Sequence, residues 1–240
     1  MNASNAVRAA LRQQLRGDLM MGVSAVPMQP PPPPGAAATA AKKKRLAVLD
    51  EGEVRGCTKC ALCKIRTQTV FGQGNPNARL VFVGEAPGYF EEQQGTAFVG
   101  RSGHLLTKMI VGMGTSREDV FICNVLKCRP PENRDPSADE ILSCSPYLRR
   151  QLAIIEPEVL VALGAPAAQT LLGTTESIGR LRGRFHDYYI GDAADPGKPI
   201  PLMPTYHPSY LLRNPAEKSK TWSDLQMVMD LLGLKSPARR

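Results

Sequence analysis

Leu80-Val81-Phe82-Val83 runs straight into Gly84-Glu85-Ala86-Pro87-Gly88. Four consecutive apolar residues, mostly β-branched or aromatic, read as a buried strand. Gly84 stops that strand, and Pro87 with Gly88 forces a turn. Glu85, and Glu91 a few residues on, therefore belong to a loop at the carboxyl end of a strand. In open α/β sheets that end is where ligands bind. Alone, the loop reads equally well as a charged surface turn.

Working outward, the same grammar repeats. Leu105, Leu106, Met109 and Ile110 fall at helical spacing before Gly112 and Gly114. Asp119–Val125 reads as a second strand, Val159–Gly164 as a third and Pro201–Thr205 as a shorter fourth. Ser137 followed by Glu140 is a capping-box signature for a helix reaching about Leu152. An amphipathic helix is expected over roughly 217–233. Strands alternating with helices predict an α/β layered fold with a largely parallel sheet. Parallel strands would bring Glu85, Asn124, Gly164 and His207 to one rim.

The net charge of +8 is unevenly placed. Residues 1–45 hold seven Lys or Arg and one acid, Asp18, whereas the remainder carries a net of only +2. Any nucleic-acid surface on the folded part must be a local patch. Val7, Leu11, Leu15 and Leu19 could form one face of a short helix. A proline run and an Ala/Lys stretch follow, and a domain boundary is expected near Arg45. Residues 1–45 are expected to be a disordered extension, with a partner-binding helix or a transit peptide as alternatives. No apolar run approaches the roughly 20 residues of a membrane span. A cytoplasmic, nucleoid-associated monomer is the expectation.

Six cysteines are too few for a disulfide scaffold in a chain of 240 residues. Cys57 and Cys60 form a close pair, and Cys128 and Cys144 lie sixteen apart. Four thiolates from two segments can close around zinc or an iron–sulfur cluster, and spacing does not choose between them. Cys63 competes as a ligand, while Cys123, inside a strand, reads as a small core residue.

With these residues in hand, the chain resembles the family 4 uracil-DNA glycosylases. The matching pieces are Cys-x2-Cys at 57 and 60, Gly-Glu-Ala-Pro-Gly at 84–88 and Gln-Gly-x2-Phe-Val-Gly-Arg at 94–101. Asn-Val-x-Lys-Cys-Arg-Pro-Pro at 124–131 and Tyr-His-Pro-Ser-Tyr-Leu-Leu-Arg at 206–213 complete the set. The similarity spans about residues 46–235. It implies a three-layer α/β/α sandwich around a four-stranded parallel sheet. It also implies a structural [4Fe–4S] cluster on Cys57, Cys60, Cys128 and Cys144, and release of uracil from DNA, single- or double-stranded.

In that reading the base leaves the stack and enters a pocket. Phe98 stacks on it, Asn124 reads its edge, and Gly84 and Ala86 line the substrate side. His207 would stabilise the departing anion. Glu85 or Glu91 would stabilise the sugar cation or orient water. Other branches of the superfamily place Asp or Asn where Ala86 stands, so the resemblance leaves open which glutamate acts. The region after Asn124 holds no His, so turnover rather than covalent trapping is expected. Arg129, Arg134, Arg182, Arg184 and Arg213, with Lys127, are candidates for DNA contact. Two rivals remain: a metal-stapled DNA-binding module without turnover, and a zinc protein of another α/β class.

Overall fold

The computed structural model describes residues 36–191 and 197–237. The apolar positions Val7 to Leu19 and the proline run lie outside the described residues.

Strands β1 (Gln73–Gly74), β2 (Leu80–Gly84), β3 (Phe121–Asn124), β4 (Val159–Leu163), β5 (His186–Tyr188) and β6 (Ile200–Thr205) form one sheet in the order β1-β3-β2-β4-β6-β5. The inner four, β3-β2-β4-β6, are parallel, which is the four-stranded core the resemblance implies. The two flanking strands are short and antiparallel. β2 and β4 are buried at every position, as expected for parallel strands covered on both faces.

Side-chain alternation splits each strand between two cores. Val81, Val83, Leu160 and Ala162 face one side, packed with Leu148, Leu152 and Ile155 of α4 (Ala138–Ile155), with α5 (Ala165–Leu172) and with the short α6 (Ile178–Leu181). Leu80, Phe82, Val161 and Leu163 face the other, against α3 (Arg101–Gly112) and α8 (Lys218–Leu232). This is the α/β/α sandwich. The capping box at Ser137 and Glu140 forms, and its helix continues to Ile155.

The boundary expected near Arg45 falls inside a helix. α1 (Ala36–Leu49) runs through the Ala/Lys stretch and buries Leu46 and Leu49 in the first core. Lys42 Nζ donates to the Ile155 carbonyl at 2.8 Å and pairs with Glu156 at 2.8 Å. Alanine and lysine are strong helix formers, so this part of the expected linker is a docked helix.

Register then sets the rim. Gly84 pairs with Asn124 and Leu163 with Thr205. Glu85, Asn124, Gly164 and His207 therefore emerge side by side at the carboxyl end of the sheet. β2 leads to β3 on one side and neighbours β4 on the other, so this rim includes the switch point where open α/β sheets bind ligands.

Candidate active site

A hollow of about 270 Å³ opens at this rim, lined by Glu85, Ala86, Glu91, Phe98, Asn124 and His207 among others. Its floor depends on a missing side chain. A Cβ on Gly84 would stand 2.6 Å from Phe98 Cζ and would also collide with the Asn124 amide oxygen.

Asn124 ends β3 and is 2% exposed. Its Oδ1 is buried with no hydrogen-bond partner among the described residues. An orphaned buried acceptor costs about 1–3 kcal/mol, and a ligand donor would relieve that cost. The Asn124 backbone carbonyl, by contrast, accepts from Lys127 Nζ at 2.7 Å.

Phe98 lies across the hollow with φ of +55°, in the left-handed region. That conformation is disfavoured for a bulky residue, and its neighbours hold it. Glu91 Oε1 accepts from the backbone N–H groups of Val99 and Gly100, both at 3.0 Å. Arg117 donates to the Ala97 carbonyl at 2.9 Å. Glu91, expected as a second candidate for chemistry, is thus engaged by the loop that carries Phe98.

His207 sits 5.7 Å from Phe98, ring centre to ring centre. It caps α7 (Pro208–Arg213) by accepting the Ser209 N–H at Nδ1, 3.1 Å away. Nδ1 is therefore an acceptor, and the neutral ring carries its proton on Nε2. Burial pushes the His207 pKa down to about 4, the Arg213 charge adds to the depression, and Glu91 opposes it. Gly164, at φ of +92°, lets β4 end against this histidine, since a Cβ there would lie 3.0 Å from His207 Cβ.

Glu85 moves the other way. Burial first, and then the nearby Asp135 charge, raise its pKa to about 7. The hollow thus pairs a neutral imidazole with a carboxyl group poised near neutrality, as acid–base sites require.

A second hollow holds Cys57, Cys60, Cys128 and Cys144 together in its lining, without Cys63. All are free thiols. Among the described residues no three His, Cys, Asp or Glu gather closely enough for a single metal ion. The four sulfurs instead surround a common space, with hydrogen-bond donors aimed at them. The Lys127 N–H points to Cys144 Sγ at 3.2 Å, and Arg66 Nη1 points to Cys128 Sγ at 3.5 Å. Donors to sulfur and four cysteines in one lining, with no His or carboxylate among the lining residues, fit an iron–sulfur cluster. Cys123 is buried within β3.

The expected basic patch divides. Arg184 and Arg213 are exposed, and Arg134 lines the active-site hollow while held by Glu140 at 2.6 and 2.9 Å. Arg129 bridges Asn133 at 2.8 Å and Glu92 at 3.6 Å on the rim. Arg182 is not free to meet phosphate. Asp224 takes two of its nitrogens at 3.0 and 2.6 Å, and the Lys220 carbonyl accepts at 2.6 Å. Lys127 is not a groove residue either. It is 1% exposed, and its Nζ also donates to Gln151 Oε1 at 2.5 Å. Ser102, Pro130, Asn133 and Ser209 also line the active-site hollow. Ser209 follows His207 by two residues, a spacing that suits a capping contact.

Fold and site together define an α/β sandwich with a ring-sized, polar-ended hollow at its switch point. The family model described as the uracil DNA glycosylase superfamily matches residues 71–226. The type-4 uracil-DNA glycosylase of Saccharolobus solfataricus is 46% identical over 188 residues, covering 76% of this chain and 85% of that protein. That of Archaeoglobus fulgidus is 42% identical over 189 residues, covering 77% and 92%. That of Thermotoga maritima is 48% identical over 162 residues, covering 67% and 80%. The chain belongs to the uracil-DNA glycosylase superfamily and, within it, to the type-4 family.

Proposed function

We propose that the protein is a uracil-DNA glycosylase, hydrolysing the bond between uracil and deoxyribose in DNA as the first step of base excision repair. The observation that carries the reading is the orphaned Asn124 Oδ1, buried at the end of a hollow between Phe98 and His207. Uracil offers an N3–H donor to that acceptor. Cytosine offers a bare N3 there and would leave the oxygen facing another acceptor.

Phe98 stacks on the extruded ring. His207 Nε2–H donates to a uracil carbonyl as the C1′–N1 bond breaks and the electron pair leaves with the base. Water adds to C1′. Glu85 orients that water, steadies the cationic sugar, and accepts the proton the water loses. Its pKa near 7 suits that exchange. Glu91 serves by holding the Phe98 loop. Cys57, Cys60, Cys128 and Cys144 would hold a [4Fe–4S] cluster, which when bound cross-links the chain around 57–60 to the 128–144 segment. Arg129, Arg134, Arg184 and Arg213 supply phosphate contacts. The catalytic domain begins with α1.

The test is uracil release from a deoxyuridine-containing oligonucleotide, measured beside the visible absorption of the purified protein. Release with a brown chromophore is expected. Tight binding of the oligonucleotide without release would overturn the enzymatic reading, and a colourless, zinc-loaded active protein would overturn the cluster.

A further inference from the structure

The helix following the Gly-Glu-Ala-Pro-Gly turn is built inside out. α2 (Tyr89–Gln94) buries an acid, Glu92, and exposes two aromatics. Tyr89 is 51% and Phe90 59% exposed. Glu92 is held inward by the Thr67 N–H at 3.1 Å and by Arg129 at 3.6 Å. The helix is therefore anchored through its carboxylate, and its rings project outward. Large aromatics are normally the part of a short helix that packs inside, and adjoining exposed ones mark a binding surface.

The two rings are arranged, not loose. They meet edge to face at 5.5 Å between centres. The Arg129 guanidinium lies over Tyr89 at 5.2 Å and donates to Asn133, which lines the hollow. The platform is continuous with the active site, since Gly88 before it and Glu91 within it both line the hollow. Arg101, exposed at the start of α3, adds positive charge nearby. Aromatic faces flanked by arginine suit a nucleobase beside its phosphate.

We infer that Tyr89 and Phe90 form a stacking platform for the base next to the extruded uridine in single-stranded DNA. This inference rests on the glycosylase reading above. In duplex DNA that neighbouring base is already stacked and paired. In a single strand its face is free, so the platform favours single-stranded substrate.

The test compares three substrates: a single-stranded oligonucleotide with one central deoxyuridine, the same strand with abasic residues on both sides of it, and the duplex. The proteins are the wild type, the Y89A/F90A double variant, and Y89F/F90Y, which keeps both rings. Base–aromatic stacking of about 1–3 kcal/mol corresponds to roughly 5- to 160-fold in binding. The wild type should show a KM rise in that range when the flanking bases are removed. Y89A/F90A should show a similar rise on the intact single strand and no further rise on the abasic-flanked one. Y89F/F90Y should behave as wild type, and thermal melting should be unchanged because the rings are exposed. Additive losses, or an unchanged KM in Y89A/F90A, overturn the platform. So does a loss confined to duplex, which would make the rings a wedge between paired bases. Absence of release by wild type from every substrate would instead sink the glycosylase reading itself.

Discussion

His207 enters the hollow with its proton already placed. The Ser209 N–H occupies Nδ1, and burial keeps the ring neutral down to about pH 4. A neutral donor can stabilise a departing anion throughout the physiological range. His207→Ala should slow uracil release by about 10²–10³-fold in single-turnover assays, the usual loss for one such donor. Glu85 carries the opposite shift, so its chemistry is pH-dependent. Because the carboxylate form accepts the proton, release should climb as pH rises through about 7, and Glu85→Gln should flatten that limb. The same shift bears on stability. The folded pKa lies above the unfolded value of 4.5, so folding favours the protonated acid. Its contribution is complete below about pH 4.5 and is lost as pH rises through 7. Glu85→Gln should therefore gain melting temperature over wild type at pH 8, and that gain should shrink at pH 5. Which glutamate acts was not legible in the sequence. Both stand on one loop, and what separates them is tertiary: Val99 and Gly100 donate to Glu91, while burial and then Asp135 raise the Glu85 pKa.

The loop from 95 to 100 is the element on which geometry turns. Phe98 adopts a backbone conformation that its own side chain disfavours, and one carboxylate ties two peptide groups to keep it there. Glu91→Ala leaves both donors unpaired. It should cost about 1–3 kcal/mol of stability by denaturant melt and reduce release on every substrate, with the loop rather than the chemistry at fault. The strands and the capped α4 were readable because their periodicity, their β-branched content and the Ser137–Glu140 pair all agree. Helix α1 is hard to read from sequence, because an Ala/Lys run is compatible with both a linker and a helix until its buried leucines find partners. The short flanking β1 and β5 carry too few residues for alternation to show. In the sequence Lys127 and Arg182 read like the exposed Arg184 and Arg213, and only tertiary contacts reveal that one props a strand end and the other ties down α8 through Asp224.

For the molecule as a whole, one short segment links the cysteine cavity to the hollow at the rim: Asn124 lines the hollow, and Leu126, Lys127 and Cys128 line the cavity. Residues 124–128 run from one to the other, with Lys127 touching both through Cys144 and the Asn124 carbonyl. Lys127→Met leaves Asn124 and Gln151 acceptors without a donor, about 1–3 kcal/mol each. It should lower both thermal stability and uracil release while keeping the visible chromophore. Cys144→Ser should do the reverse in colour, bleaching the visible absorption by removing one of the four thiolates and weakening oligonucleotide binding in fluorescence anisotropy. If that variant, folded by circular dichroism, binds as tightly as the parent, the cluster does not order the DNA face. The convergence on one rim was legible because parallel strands make it obligatory; the depth and polarity of the hollow were not, since they depend on an absent Cβ and an unsatisfied amide. The sheet's two margins carry a last implication. Each closes in a strand of two or three residues running against its neighbour, so another copy would find almost no ladder to extend. Edge-to-edge fibril growth along these described margins thus has little to start from.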